Sequence, residues 1–202
     1  KAEMDEGYIK FNCQWIKAEP LPAVMLEGLN AWREKLFALG LVGMYDDGIG
    51  FGNLSIRHPH KGFIITGSAT GGLQQLDELH FTLVNEYNLE HNSLICKGPI
   101  IASSESLSHA VIYEASPSTG AVIHVHQTEM WKRLINKLPT TRPEVSYGTP
   151  AMAREILRLF RESELEKEKI LVMGGHPEGI ITFGQNLEEA ADILQRHLQN
   201  SK

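Results

Sequence analysis

The sequence predicts a layered α/β or α+β domain. Segments with apolar residues at helical spacing alternate along the chain with short apolar runs of strand character. Clusters of glycine, proline and serine punctuate the boundaries between them. The 202 residues fit one domain, and an apolar share of 42% is enough to bury a core.

Residues 1–22 end in Glu19-Pro20-Leu21-Pro22, a stiff lead-in that helices rarely cross. A single domain is expected behind it, over residues 23–202. Val24, Leu26, Leu29, Trp32, Leu36 and Leu39 recur at near-helical spacing, so 23–40 reads as a helix stopped by Gly40. From 41 to 72 glycine is dense and short apolar runs intervene, such as Leu54-Ser55-Ile56 and Phe63-Ile64-Ile65. That pattern predicts strands joined by loops of unusual backbone geometry. A strand region is expected over Leu94–Ile101, broken by Gly98-Pro99. Ser103-Ser104-Glu105 then opens a helix to about Ala115, with the serines as N-caps and Glu105 in the first turn. After a turn at Pro117 and Gly120, Ala121–His126 reads as a strand and 127–137 as a helix. A proline-bearing loop over 139–150 leads into a strong helix from Pro150 to about Glu168. Ile170–Met173 is a short strand ending in Gly174-Gly175-His176, Ile180–Phe183 is the last strand, and 187–199 is the terminal helix.

Composition excludes some functions. A net charge of -6 argues against a nucleic-acid-binding surface, which needs a basic stripe, though not against a small anion site. No apolar run reaches the length of a membrane helix, and Lys1–Lys10 lacks a signal-peptide core. The chain starts without Met, as one with missing or processed residues does. Cys13 and Cys96 are too few for a disulfide framework and read as reduced thiols of a cytoplasmic protein.

The sharpest signal is Ala121-Val122-Ile123-His124-Val125-His126. On a strand, Ala121, Ile123 and Val125 share an apolar face, while Val122, His124 and His126 share the other. Two imidazoles two residues apart project side by side, within reach of one borderline divalent ion. A catalytic zinc takes three protein ligands, and His176 at its Gly-Gly turn is the best third candidate. Taken alone, the pair also reads as a polar strand face. A cupin-type metal strand fits poorly: Glu129 is nearly placed, but no glycine follows before Gly148. His58, His60, His80, His91 and His197 read as surface or loop histidines without a role.

Glu105 lies 19 residues before His124, and a helix, turn and adjacent strand can return the chain to one pocket. A carboxylate beside a metal can act as acid or base for a C–H or O–H proton if its pKa is raised; on its own, Glu105 also reads as complementing a helix dipole. Ser103 and Ser104, before a helix N-terminus, and the loops Gly50-Phe51-Gly52-Asn53 and Thr66-Gly67-Ser68 can offer N–H groups and hydroxyls to a phosphate. Such loops would reconcile an anionic substrate with an acidic protein. Each also reads as an ordinary turn.

Together and in order, several pieces resemble one family. They are Gly52-Asn53-Leu54-Ser55-Ile56-Arg57, Phe63-Ile64-Ile65-Thr66, Ser103-Ser104-Glu105, His109, Tyr113, His124-Val125-His126, His176, Ile180-Ile181 and Asn186-Leu187-Glu188-Glu189-Ala190. The family is the class II aldolase/adducin family, which contains fuculose-1-phosphate and ribulose-5-phosphate metal enzymes. The resemblance covers roughly residues 24–198. It implies a three-layer α/β/α fold around a mainly antiparallel sheet. It implies zinc, or a divalent ion such as Mn2+ or Co2+, on His124, His126 and His176, with Glu105 as acid/base. It implies that Asn53, Ser103 and Ser104, with Gly52 and Ser68, hold a phosphate. Family members are often ring-shaped tetramers with sites at subunit boundaries.

The activity so implied is a carbon–carbon lyase reaction on a small, phosphorylated hydroxy-carbonyl compound, in which a Lewis-acid ion stabilises an enediolate. The same ion could serve epimerisation or dehydration, and an adducin-like assembly module is a non-enzymatic alternative. No nucleic-acid or membrane partner is expected. The chain departs from the family pattern in three places. Pro177-Glu178 separates His176 from Gly179, where the family has Gly directly after the third histidine. Gly67 stands where Pro is common, in a loop one residue longer. The segment Gln127–Tyr147 is short, and it is from this stretch that aldolases draw a proton-donating tyrosine; Tyr147 is the one nearest in position.

Overall fold

The computed structural model describes residues 9–200. In chain order the elements are β1 (Asn12–Lys17), α1 (Ala23–Ala38), β2 (Gly43–Met44), β3 (Gly50–Phe51), β4 (Asn53–Arg57) and β5 (Phe63–Thr66). Then follow β6 (Phe81–Asn88), β7 (Ser93–Gly98), α2 (Ser106–Ala115), β8 (Ala121–His126) and α3 (Thr128–Leu134). The chain ends with α4 (Pro150–Glu162), α5 (Leu165–Glu168), β9 (Ile170–Val172), β10 (Gly179–Gly184) and α6 (Leu187–Gln199).

Eight strands form one sheet in the order β1-β7-β6-β5-β4-β8-β10-β9, and β2 pairs with β3 in a separate ribbon. Every pairing in the large sheet is antiparallel except that of β1 with β7. The alternation along β8 sorts its side chains as the sequence predicts. Ala121, Ile123 and Val125 join the apolar cluster under α1 and α6, while Val122 joins the one under α2 and α4. Helices therefore cover both faces, giving the expected three-layer α/β/α architecture with a mixed, mainly antiparallel sheet. Leu26, Leu29 and Leu36 bury one stripe of α1, each contributing roughly 1.5–3 kcal/mol by leaving water.

Local chemistry sets the helix ends. Thr149 caps α4 by accepting from the Met152 N–H, with Pro150 at the first helical position. Asn186 caps α6 by accepting from Glu189 N–H. The helix expected over 150–168 is two, because Ser163 turns extended (φ -134°, ψ 179°) and its hydroxyl bonds back to Leu159 O at 2.6 Å. Ser103 and Ser104 are not the N-caps of α2. Glu105 occupies that position without a capping side-chain bond, and the serines sit in the preceding turn.

Two strands lie where the sequence suggests none. Within the lead-in 1–22, whose first eight residues fall outside those described, Asn12–Lys17 adds β1 to the sheet edge. In the unassigned stretch 73–93, β6 forms with a bulge between Val84 and Glu86 that breaks its alternation. No helix among the described residues is long and apolar enough to cross a membrane.

Candidate metal centre

The site is built where β4, β8 and β10 lie side by side under the start of α2. Asn53 at the head of β4 pairs in register with His124, and Gly179 at the head of β10 pairs with His126. Gly52 makes the entry to β4 with φ +83°, where a Cβ would lie 2.5 Å from Val42 Cγ1. Glu105 at the N-cap of α2 and His109 and Tyr113 within it fall four residues apart and so share one side of the helix, against the sheet.

His176 comes from the loop between β9 and β10. A Cβ on Gly174 would sit 2.1 Å from Thr141 O, and one on Gly175 would sit 2.4 Å from Val145 O. Only glycines let this loop pass so close to the 139–148 segment. That approach brings the Tyr147 ring against His176, with centroids 5.0 Å apart.

His124, His126 and His176 are all buried, and one ligand nitrogen of each lies within 4.8 Å of the others. The Nε2 atoms of His126 and His176 are 3.2 Å apart. Glu105 Oε2 pairs with His124 Nδ1, and its Oε1 lies 3.9 Å from His176 Nε2. His124 Nε2 and Glu105 Oε1 are buried without a hydrogen-bond partner. Orphaned polar atoms of this kind are costly, on the order of 1–3 kcal/mol each. A divalent cation among the three imidazoles would take up the His124 Nε2 lone pair and set a positive charge beside Glu105 Oε1, and nitrogen donors suit zinc and its first-row neighbours.

Electrostatics agree with this fit. Burial alone pushes the Glu105 carboxyl up, the direction expected from the sequence, but His124 beside it, with His176 and His126, outweighs burial and instead holds it well below the usual carboxylate range. Burial, reinforced by His124 and His176, holds His126 well below its ordinary value, which keeps the imidazole in the neutral, ligating form. Burial and then His124 push His109 down to about 3, against the opposing pull of Glu105.

Gly52, Asn53, Ser68, Ser103, Ser104 and Glu105 line a single cavity of about 230 Å³, together with His176 and Tyr147. His124 and His126 are not part of that lining. The Ser68 N–H is already bonded to Ile101 O at 2.9 Å, so Ser68 would reach an anion through its hydroxyl.

Several contacts that shape the site escape a sequence reading. Arg33 lies in the buried stripe of α1 and donates to Thr70 O at 3.0 Å, Gly71 O at 2.9 Å, Gln74 O at 3.2 Å and also Leu73 O. It thereby anchors the loop that carries Ser68. An arginine between Leu29 and Leu36 in an apolar stripe is the available signal. Ser55 links His109 Nδ1 (2.6 Å) to Tyr113 OH (2.8 Å), and the phenol of Tyr45 sits 2.7 Å from His126 Nδ1. Nothing in their own segments marks these contacts.

Comparison with known proteins adds the family. A family model described as "Class II Aldolase and Adducin N-terminal domain" matches residues 43–197. No curated protein matches the sequence significantly. Among solved structures, an L-fuculose 1-phosphate aldolase superposes with a TM-score of 0.67 at 20% identity, over 90% of this chain and 84% of its own. The L-fuculose-1-phosphate aldolase of Thermus thermophilus gives 0.62 at 21% identity, over 89% and 92%. A sugar-phosphate aldolase from Thermotoga maritima gives 0.65 at 15% identity, over 88% and 93%. At these identities the likeness is one of fold.

Proposed function

We propose that this chain, which belongs to the class II aldolase and adducin N-terminal domain family, is a metal-dependent carbon–carbon lyase acting on a small, phosphorylated hydroxy-carbonyl compound. The observation that carries the reading is the placement of Glu105. One of its oxygens is tied to His124, and the other is buried without a partner toward His176, at a cavity lined by hydroxyls.

His124, His126 and His176 would hold the ion, which when bound supplies Lewis acidity at a carbonyl oxygen. Glu105 carries the proton at Oε1 to and from the reacting carbon or oxygen. Asn53 Nδ2, the Ser68, Ser103 and Ser104 hydroxyls and the backbone at Gly52 receive the phosphate. Among the described residues no lysine lines the cavity, and the reading needs no Schiff base.

Zinc is the ion we propose, with Mn2+ and Co2+ as alternatives. A homotetramer and a cytoplasmic setting complete the reading, the first by family analogy and the second from a sequence with only two cysteines, Cys13 and Cys96, too few for a disulfide framework. Epimerisation and dehydration use the same groups, and only a lyase yields two carbon fragments.

The test is calorimetric titration of the zinc-loaded protein with phosphoglycolohydroxamate, which mimics a phosphorylated enediolate. Tight binding that disappears on chelation is the expected result. Bound zinc without binding of this probe would sink the phosphorylated-substrate reading. A chain that folds normally and takes up no metal would favour an adducin-like assembly module.

A further inference from the structure

The Pro177-Glu178 pair between His176 and β10 brings a carboxylate to the far side of His126. Glu178 adopts φ +73°, a left-handed conformation that disfavours a side chain. Its carboxylate accepts from Tyr45 OH at 2.6 Å and from Thr128 Oγ1 at 2.8 Å. The same Tyr45 oxygen lies 2.7 Å from His126 Nδ1, while Glu178 Oε2 is 3.9 Å from that nitrogen. Phe51 stacks on the His126 ring at 5.4 Å and meets the Tyr45 ring at 4.5 Å.

Counting protons fixes the direction of this line. The carboxylate has none to give, so the single hydroxyl proton of Tyr45 goes to Glu178. The phenol oxygen can then only accept, so His126 Nδ1 must carry the hydrogen. Nε2 is left with its lone pair, and Nε2 is the atom 3.2 Å from His176 Nε2.

We propose that Glu178 and Tyr45 are positioning residues that hold His126 as the Nδ1–H tautomer, with Nε2 presented to the metal. The proposal rests on the reading of the three histidines as a metal centre. Ligating histidines commonly donate their second nitrogen to a carboxylate, which fixes the ring and raises its basicity. Here a phenol stands between the two. Glu178 supplies the carboxylate, and because its Oε2 stops 3.9 Å from His126 Nδ1, the Tyr45 hydroxyl completes the line.

Long-range ¹H–¹⁵N correlation on the metal-free protein tests the tautomer directly, with the His126 signals identified by their loss in His126→Gln. The parent should show the Nδ1–H pattern. Tyr45→Phe keeps the ring packing and should shift His126 toward Nε2–H, with Glu178→Gln in between. An Nε2–H pattern in the parent, or one unchanged by Tyr45→Phe, overturns the proposal. Zn2+ titration against a chromophoric chelator should show roughly tenfold or greater weakening in Tyr45→Phe, and affinities within about twofold of the parent would also overturn it. A parent that shows the tautomer shift yet binds no zinc supports the line of contacts and overturns the metal reading instead.

Discussion

His109 Nε2 lies 2.5 Å from Asn53 Oδ1, and this bond decides which way the Asn53 amide faces. With Oδ1 accepting from His109, Nδ2 is turned toward Glu105 Oε2 at 3.3 Å and His124 Nδ1 at 3.3 Å. The opposite flip would set an amide oxygen against a carboxylate. The donors run one way: Tyr113 OH to Ser55, Ser55 OH to His109 Nδ1, His109 Nε2–H to Asn53, and Asn53 Nδ2–H to Glu105.

Two substitutions separate the ends of His109. A Gln side chain can place its amide near the Nε2 position and keep the donor to Asn53, whereas Asn reaches only the Nδ1 side. His109→Asn should therefore weaken phosphoglycolohydroxamate binding by about tenfold or more, the scale of one lost charge-assisted hydrogen bond. His109→Gln should bind closer to the parent. Equal affinities for the two variants would show that His109 does not orient Asn53.

His109 also predicts acid sensitivity. Its folded-state value of about 3 lies below the ordinary value of 6.5, so the folded form excludes a proton that the unfolded chain accepts. Its stabilising contribution is complete above the unfolded value and declines as pH falls toward 3. By pH 5 the loss is about 2 kcal/mol. The depressed Glu105 acts in the same direction but only below the usual carboxylate range, since its contribution is present above the unfolded value. Urea unfolding of metal-free protein at pH 7 and pH 5 should show a steeper decline in the parent than in His109→Gln. Parallel declines would refute the assignment to His109.

The extent to which the sequence reveals this site follows from the physics of periodicity. Alternation along one strand separates His124 and His126 from Ala121, Ile123 and Val125, because side-chain direction is a local property. The Gly174-Gly175 pair likewise marks a crowded turn at His176. Contacts between distant segments leave no such trace. Tyr45 meets Glu178 across 133 positions, and neither belongs to a periodic element that points at the other. β1 is missed for a related reason: it is a mostly exposed edge strand without apolar alternation, held by pairing with β7 far along the chain. The serine pair before α2 matches cap preferences, which do not register that Glu105 spends its side chain on His124 instead of on the helix.

The turn at Gly175 should be intolerant of any side chain. A methyl there would meet Val145 O at 2.4 Å and Pro143 O at 2.7 Å, both backbone atoms that cannot rotate away. Gly175→Ala should cost about 1–3 kcal/mol in urea unfolding, typical of overpacking. It should also weaken Zn2+ binding, because relieving the clash displaces His176. Full stability together with parent-like zinc affinity would show that the loop has slack.

Arg33 offers a test of the cavity wall. Its guanidinium donates to carbonyls of Thr70, Gly71, Leu73 and Gln74, and burial lowers its pKa from the ordinary value without removing its charge. Arg33→Met keeps much of the stem but leaves those carbonyls without their donor. Limited proteolysis should then cut within 67–75 faster than in the parent, with probe affinity reduced and zinc affinity retained. Unchanged cleavage would mean that backbone contacts alone hold the loop.

Replacing Glu105 with Gln tests the proposed chemistry itself. Gln is nearly isosteric, and its amide oxygen can still accept from His124 Nδ1, so the three histidines keep their arrangement. The variant lacks the negative charge and has no oxygen able to take up and return a proton at the Oε1 position. Zinc stoichiometry and fold should survive, and the affinity loss should be modest because three imidazoles remain. Turnover of any substrate identified for the parent should fall by about a hundredfold or more, the scale of a lost general acid or base. A rate within a few fold of the parent would remove Glu105 from proton transfer and shift attention to Tyr147, whose ring is already packed against His176.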